Sequence, residues 1–327
     1  MPHILIVGLG SIGRRHLRNL LHLGFTEILL CDKFRRPIEE APGMPVLRDL
    51  SDALSEEPEA VFVTCPTAQH MEVALPAAKA GCNLFIEKPL SNSWEGVGDL
   101  LAAVRDRKLL GMVGFDLRFD PGLCVAKRLI EENCIGRVVA IHAQVGQYLP
   151  DWRPHEDYRK GMSATVEMGG GVILDLIHEL DYVSWLAGPV VQVACFADKV
   201  SRLEIETEDT AAIVLKFADG AIGSVNLDYV QRSESRTCRI VGEEGTILWD
   251  YFGNKVRWYE AASTAWREEA YPDFQRNDRF VAEMRHVLSC LQGDERPKVD
   301  LVTGAEVLKL ALAAKESAKT GTVCRMT

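Results

Sequence analysis

A chain of 327 residues with 47% apolar and 26% charged side chains has an ordinary soluble profile, and at roughly 150 residues per domain it holds two domains, each large enough for a core. Its 37 Lys and Arg against 47 Asp and Glu leave a net charge of −10, which disfavours nucleic acid and anionic membrane, partners that bind through neutralised phosphates. No apolar run approaches the roughly 20 residues of a membrane span and no basic segment precedes the first apolar strand, so a cytoplasmic protein is expected.

The elements change character near residue 119. Before it, runs rich in Val, Ile and Leu at 3–7, 27–31, 60–65, 83–86 and 109–115 predict strands, and amphipathic stretches at 11–23, 69–80 and 93–108 predict the helices between them. Such alternation means right-handed crossovers and a parallel sheet covered on both faces. Pro76 falls inside the second helix, where a lost hydrogen bond predicts a kink. After a helix at 121–132, strands are predicted at 137–148, 190–197, 210–217, 221–229, 236–241, 246–251 and 255–259, several at hairpin spacing. Turns at Ala218-Asp219-Gly220 and Gly242-Glu243-Glu244-Gly245 supply residues that reach positive φ. Helices at 278–291 and 303–319 and a short strand at 322–325 close the chain. The fold class is therefore α/β: a parallel sheet over 1–118, then an α/β domain with a large, predominantly antiparallel sheet over 119–327.

Nine cysteines (Cys31, Cys65, Cys82, Cys124, Cys134, Cys195, Cys238, Cys290, Cys324) are scattered, with neither Cys-x-x-Cys pairs nor a His spacing suited to zinc. They are expected to be reduced thiols, mostly small core residues, and no metal site is expected.

Three motifs carry chemistry. In Gly8-Leu9-Gly10-Ser11-Ile12-Gly13, between a strand and a helix, Gly8 permits a tight turn, Gly10 lets backbone approach a pyrophosphate, and Gly13 lets helix and strand pack closely. The next strand ends at Asp32, 19 residues beyond Gly13, the expected place for a carboxylate on the adenosine ribose. A Rossmann dinucleotide site is the reading. Asp32 favours NAD by repelling a 2′-phosphate, although Lys33, Arg35 and Arg36 follow and leave NADP open. The second motif, Glu87-Lys88-Pro89, lies at the carboxyl end of a predicted strand, on the cofactor side of such a sheet. In the third, Gly169-Gly170-Gly171 opens a predicted helix on which Asp175 and His178, three residues apart, share a face where a carboxylate can orient an imidazole.

Together these motifs resemble the glucose-fructose oxidoreductase and inositol dehydrogenase family, Gfo/Idh/MocA. The likeness extends to Thr64-Cys65-Pro66-Thr67-Ala68-Gln69-His70, to the run from Ala80 to Pro89, to Val113-Gly114-Phe115-Asp116-Leu117-Arg118-Phe119 and to Lys315-Glu316-Ser317-Ala318. It implies a nicotinamide-dependent oxidoreductase acting on a sugar, sugar acid or cyclitol. Gly8, Gly10, Ser11, Ile12, Gly13, Asp32, Cys65, Pro66, Thr67, His70 and Glu87 are then cofactor residues. Lys88 and His178 stand beside the reacting carbon with Asp175 in support, and the Lys88-Pro89 bond is cis. The family's usual acidic partner precedes the histidine by four residues, which here is Leu174, so Asp175 departs from the pattern. The segment from Tyr148 to Lys160 resembles members from bacterial surface-sugar pathways; Trp152 and Tyr158 suit pyranose faces, Arg153 or Arg159 suits a carboxylate or phosphate, and Arg118 joins the substrate set. A polar loop packed by its own aromatics is the other reading of that segment. A cofactor-binding sensor or repressor, or a reductase of a non-sugar carbonyl or imine, remains an alternative function. The open face of the antiparallel sheet is expected to support a homo-oligomer, a dimer or tetramer.

Overall fold

The computed structural model describes residues 3–34 and 38–326. From its start the chain forms β1 (Ile4–Val7), α1 (Ser11–His22), β2 (Ile28–Cys31), β3 (Val46–Leu47), α2 (Leu50–Ser55), β4 (Ala60–Val63), α3 (His70–Ala80), β5 (Asn83–Glu87), α4 (Val97–Arg107) and β6 (Gly111–Gly114). The strands make one parallel sheet in the order β3-β2-β1-β4-β5-β6. Every residue of β1, β4 and β6 is buried, as strands covered on both faces must be. Strand order reverses between β1 and β4, and a switch point of this kind opens a crevice beyond the carboxyl ends of the strands. β3 and α2 have no counterpart in the sequence reading, since a two-residue strand and a six-residue helix carry too little periodicity. α3 runs through Pro76 without a break.

The next segment forms α5 (Pro121–Glu131), β7 (Val138–Gly146), α6 (Val172–Asp175), α7 (His178–Ala187), β8 (Val190–Asp198), β9 (Thr210–Phe217), β10 (Ile222–Asp228), β11 (Ser235–Gly242), β12 (Gly245–Asp250), β13 (Lys255–Glu260) and β14 (Ala265–Ala270). With β15 (Cys324–Arg325) these strands form a nine-stranded sheet in the order β14-β13-β12-β11-β7-β10-β9-β8-β15. All its pairings are antiparallel except that of β7 with β10. β9 shows the alternation of a half-covered sheet, with Ala211, Ile213, Leu215 and Phe217 buried and Ala212, Val214 and Lys216 exposed. β14, which the sequence does not predict, is an exposed edge strand of Ala-Trp-Arg-Glu-Glu-Ala held by its pairing with β13.

Between these lie α8 (Arg276–Gln292) and α9 (Leu301–Thr320). The chain divides into two units, Met1–Asp116 with Arg276–Leu308 and Leu117–Gln275 with Lys309–Thr327. The first unit thus takes α8 and the start of α9 from the far end of the chain. That return has a packing cause: Met284, Val287 and Cys290 join Leu17, Leu20, Ile4 and Phe62 in the core of the first unit.

In the second unit Asp120 joins helix to sheet. Its Oδ1 caps α5 by accepting from the Leu123 N–H at 3.1 Å and also accepts from the buried Trp249 Nε1–H at 2.9 Å. Asp120→Ala is expected to cost about 2–4 kcal/mol, a cap of about 1 kcal/mol plus a stranded indole donor. Urea unfolding at unchanged slope checks this, and a loss well below about 1 kcal/mol would show that the indole re-pairs.

Candidate active site

In the first unit the glycine turn is shaped by what it touches. Gly8 has φ +98°, and a Cβ there would lie 2.5 Å from the Cys65 backbone nitrogen; a Cβ on Gly13 would lie 2.0 Å from the Gly8 carbonyl oxygen. Thr64 Oγ1 donates to the same carbonyl at 2.6 Å, locking the end of β4 to the turn. Gly10 differs: a Cβ there meets nothing within 4 Å, and Gly10 is the N-cap of α1 without any side-chain cap. The side facing the sheet is closed and the side facing outward is open. Beyond Gly10 the chain enters α1 through Ser11, Ile12 and Gly13, and the N–H groups and dipole of a helix start suit an anion.

Asp32 stands at the end of β2, buried, with both oxygens in use. Oδ2 accepts from the Leu9 N–H at 2.8 Å and Oδ1 from the Phe34 N–H at 2.7 Å. It therefore braces the glycine turn from across the sheet, a role that spacing alone does not reveal. Lys33 is exposed, and Arg35 and Arg36 lie outside the described residues.

His70 ties two further motifs together. Its Nε2 lies 3.0 Å from the Cys65 carbonyl and its Nδ1 2.9 Å from the Pro89 carbonyl, so the turn Cys65-Pro66-Thr67 is held against the turn carrying Lys88. Burial lowers the imidazole pKa, and burial pushes the Cys65 thiol up to about 12, which makes it a poor nucleophile. The Lys88–Pro89 bond is cis. Glu87 turns inward: Oε1 lies 2.6 Å from His16 Nε2, and Oε2 accepts from the Lys88 backbone N–H at 3.1 Å. Lys88 itself is half-buried.

The second unit holds the other sequence-derived residues. Asp175 and His178 do not share one helix, which corrects the sequence reading: α6 ends at Asp175, Leu176 leaves helical geometry at ψ 33°, and α7 begins at His178. The glycine segment ahead of α6 is tightly packed: a Cβ on Gly171 would meet the Glu208 carboxylate at 2.4 Å and one on Gly170 the Met162 carbonyl at 2.2 Å. Asp175 Oδ2 accepts from Ser163 Oγ at 2.5 Å and from the Tyr229 hydroxyl at 3.0 Å. Burial, with the adjacent Asp175 charge, raises the Tyr229 pKa well above its ordinary value, so the phenol stays a donor. His178 is buried at the first turn of α7. Ser163 and Tyr229 were not legible in the sequence, since no motif or spacing links them to Asp175.

Arg118 is buried and gives its fork to Asp181, Nε at 2.7 Å and Nη2 at 2.8 Å, with its guanidinium 4.6 Å from the Trp185 ring centroid. The segment from Tyr148 holds Trp152 edge-on against Tyr229 with centroids 5.3 Å apart. Tyr158 accepts the Glu204 N–H at 3.3 Å, Arg153 lies 3.4 Å from Glu156, and Arg159 is paired with Asp157 and Glu204.

The chain is similar to known proteins over most of its length. Residues 3–115 match the family model described as an oxidoreductase family with an NAD-binding Rossmann fold, and residues 125–248 match the GFO/IDH/MocA C-terminal domain. A myo-inositol 2-dehydrogenase of Thermotoga maritima is 27% identical over 336 residues, covering 95% of each chain. Among solved structures, the WlbA dehydrogenase of Bordetella pertussis in complex with NADH and UDP-GlcNAcA superposes with a TM-score of 0.83 at 25% identity, over 100% of this chain and 99% of that one. A levoglucosan dehydrogenase complexed with NADH and levoglucosan shares the fold, with a TM-score of 0.87 at 19% identity over 98% of each chain. With both halves of the chain matched by its models, the protein belongs to the Gfo/Idh/MocA family of NAD-binding oxidoreductases.

Proposed function

We propose that this protein is an NAD-dependent dehydrogenase that moves a hydride between the nicotinamide and a hydroxyl-bearing carbon of a sugar, sugar acid or cyclitol. The observation that carries the cofactor assignment is the glycine cradle, closed at Gly8 and Gly13 and open at Gly10, where a pyrophosphate takes the space a side chain would fill. Ser11, Ile12 and Gly13 offer backbone N–H groups to it, Asp32 has acceptor capacity left for the ribose, and Cys65, Pro66 and Thr67 line the next strand end. When bound, NAD supplies the hydride acceptor. Lys88 donates to the reacting oxygen, and His178 takes the hydroxyl proton. Asp175, held by Ser163 and Tyr229, supports this half of the site.

The carriers of homologous chemistry act on polyols: the relatives are named for inositol and levoglucosan, and one solved neighbour holds a nucleotide-linked sugar acid. Trp152 offers an aromatic face and Arg153 a half-exposed cation, a pair suited to an acidic sugar. Arg118 is assigned to holding Asp181 rather than to substrate. No helix among the described residues is long and apolar enough to cross a membrane, and all nine cysteines are free thiols, in keeping with a reducing cytoplasm. Self-association through the open sheet face is supported by Phe196, Val214 and Ile222, which stand 84%, 50% and 47% exposed on neighbouring strands.

Gly10→Val is expected to leave unfolding stability within about 1 kcal/mol, because nothing crowds the new side chain, and to weaken NADH and NADPH alike by about 100-fold or more. Retained cofactor affinity would sink the cradle assignment. Asp32→Ala lowers affinity for both, since the Leu9 N–H loses its brace, but shifts the NADH to NADPH ratio toward NADPH; an unchanged ratio shows that Asp32 does not face the ribose.

A panel of inositols, sugar acids and nucleotide sugars identifies the substrate by thermal shift and NADH formation. On that substrate Lys88→Ala and His178→Asn each lower kcat by about 10²–10⁴ while NAD affinity holds. Wild-type turnover in both variants would remove them from the mechanism. NAD binding without turnover of any member by the wild-type protein would favour a sensor.

A further inference from the structure

α8 brings a second carboxyl up to the one that holds the Lys88 amide. One polar atom from each of His16, Glu87 and Glu283 lies within 4.8 Å of the other two, and His16 Nε2 and Glu87 Oε1 are 2.6 Å apart. All three residues are buried, Glu283 at 1% exposure, and the rings of Phe62, Phe85 and Phe280 stand edge-on to His16. Among the described residues Glu283 Oε2 has no hydrogen-bond partner. The charges facing Glu283 are Glu87 from β5, Asp116 beyond β6 and Arg279 from its own helix; Arg279 is bound to Asp116, with Arg15 of α1 close to both.

A divalent cation is one occupant such a cluster suggests, but the distances oppose it. Ligands about 2.1 Å from one ion stand about 3.0–3.4 Å from each other, whereas 2.6 Å between His16 and Glu87 is a hydrogen bond. The guanidiniums of Arg15 and Arg279 add repulsion. Two carboxyls this close in a dry, aromatic-walled site do not both ionise; one keeps its proton.

We propose that Glu283 is the neutral acid of a buried positioning cluster, which spares the His16–Glu87–Glu283 site a further negative charge and thereby lets Glu87 hold the Lys88 backbone N–H. The link to turnover rests on the assignment of Lys88 to the reacting oxygen. Burial is the largest reason that Glu283 titrates well above an ordinary carboxyl, and Glu87 and Asp116 push in the same direction. When Glu283 ionises, a second negative charge beside Glu87 displaces the Lys88 turn, so kcat falls on the alkaline side with little change in the KM for NAD. Stability follows with a defined sign. An unfolded glutamate titrates at about 4.3, so between that value and its raised folded value the folded protein holds the extra proton and loses stability as pH rises, by up to about tenfold in the folding equilibrium per pH unit.

The test compares the full-length protein with Glu283→Gln, which keeps the neutral shape and cannot ionise. Infrared spectra of the wild type should show a protonated-carboxyl C=O band that bleaches as pH rises and that the variant lacks. The variant should lose the matching pH slope in thermal unfolding, keep kcat within about twofold on the acid side, and drop one ionisation from the alkaline limb of its kcat profile. Identical bands and slopes in both proteins, or one equivalent of metal in the purified wild type, would overturn the proposal. If Glu283→Gln does not fold, the wild type alone decides, since its band must vanish over the interval in which its stability falls. The infrared and unfolding readouts need no substrate, so they stand apart from the dehydrogenase assignment: full turnover by Lys88→Ala would overturn that assignment and leave the neutral Glu283 result as it is.

Discussion

Between the end of β1 and the end of β4 there is no room for a side chain, and the first unit is organised around that fact. Gly8 presses on the Cys65 backbone, Gly13 presses on Gly8, and Thr64 donates its hydroxyl into the same gap. The contact forces the chain to leave β1 and enter α1 at once, which aims the helix start at the crevice where the strand order reverses. It also separates the roles of the glycines. Two are required by the protein's own backbone, whereas Gly10 has open space beside it.

Each unit also holds buried charges matched to partners of its own. Arg118 with Asp181, Arg236 with Glu179, Arg279 with Asp116 and His16 with Glu87 are all largely withdrawn from water. As sources of stability such pairs are weak, because desolvating two ions costs several kcal/mol that their attraction barely repays. What they provide is direction. A forked Arg118–Asp181 pair fixes the angle between the start of the second unit and α7, and Glu87, with one oxygen on His16 and one on the Lys88 amide, fixes where the lysine's backbone lies. Apolar side chains of the same volume would pack as well and aim nothing.

The second unit solves a related problem with its glycine run. Gly170 and Gly171 pack against Met162 and Glu208 ahead of α6, α6 ends at Asp175 and α7 starts anew at His178, so the imidazole sits at a helix start instead of along a helix face. Asp175, three residues earlier, takes Ser163 and Tyr229 as partners.

Sequence alone determined the parallel half of the protein, the predominantly antiparallel second sheet, the glycine fingerprint with Asp32, and the Glu87-Lys88-Pro89 turn. Each of these is a local pattern, a period of two or 3.6 residues or a motif within one strand-turn-helix, and local patterns survive being read along a line. The very short β3, the six-residue α2 and the charged edge strand β14 escaped because they carry almost no period. Tertiary structure decided the rest: that α8 returns to complete the first core and brings Glu283 to Glu87, that Asp32 braces Leu9, that Arg118 is given to Asp181, and that Asp175 answers to Tyr229. A buried polar group must find its partner wherever the closed chain delivers one, and that choice depends on which distant segments share a core, a quantity that no window of neighbouring residues contains.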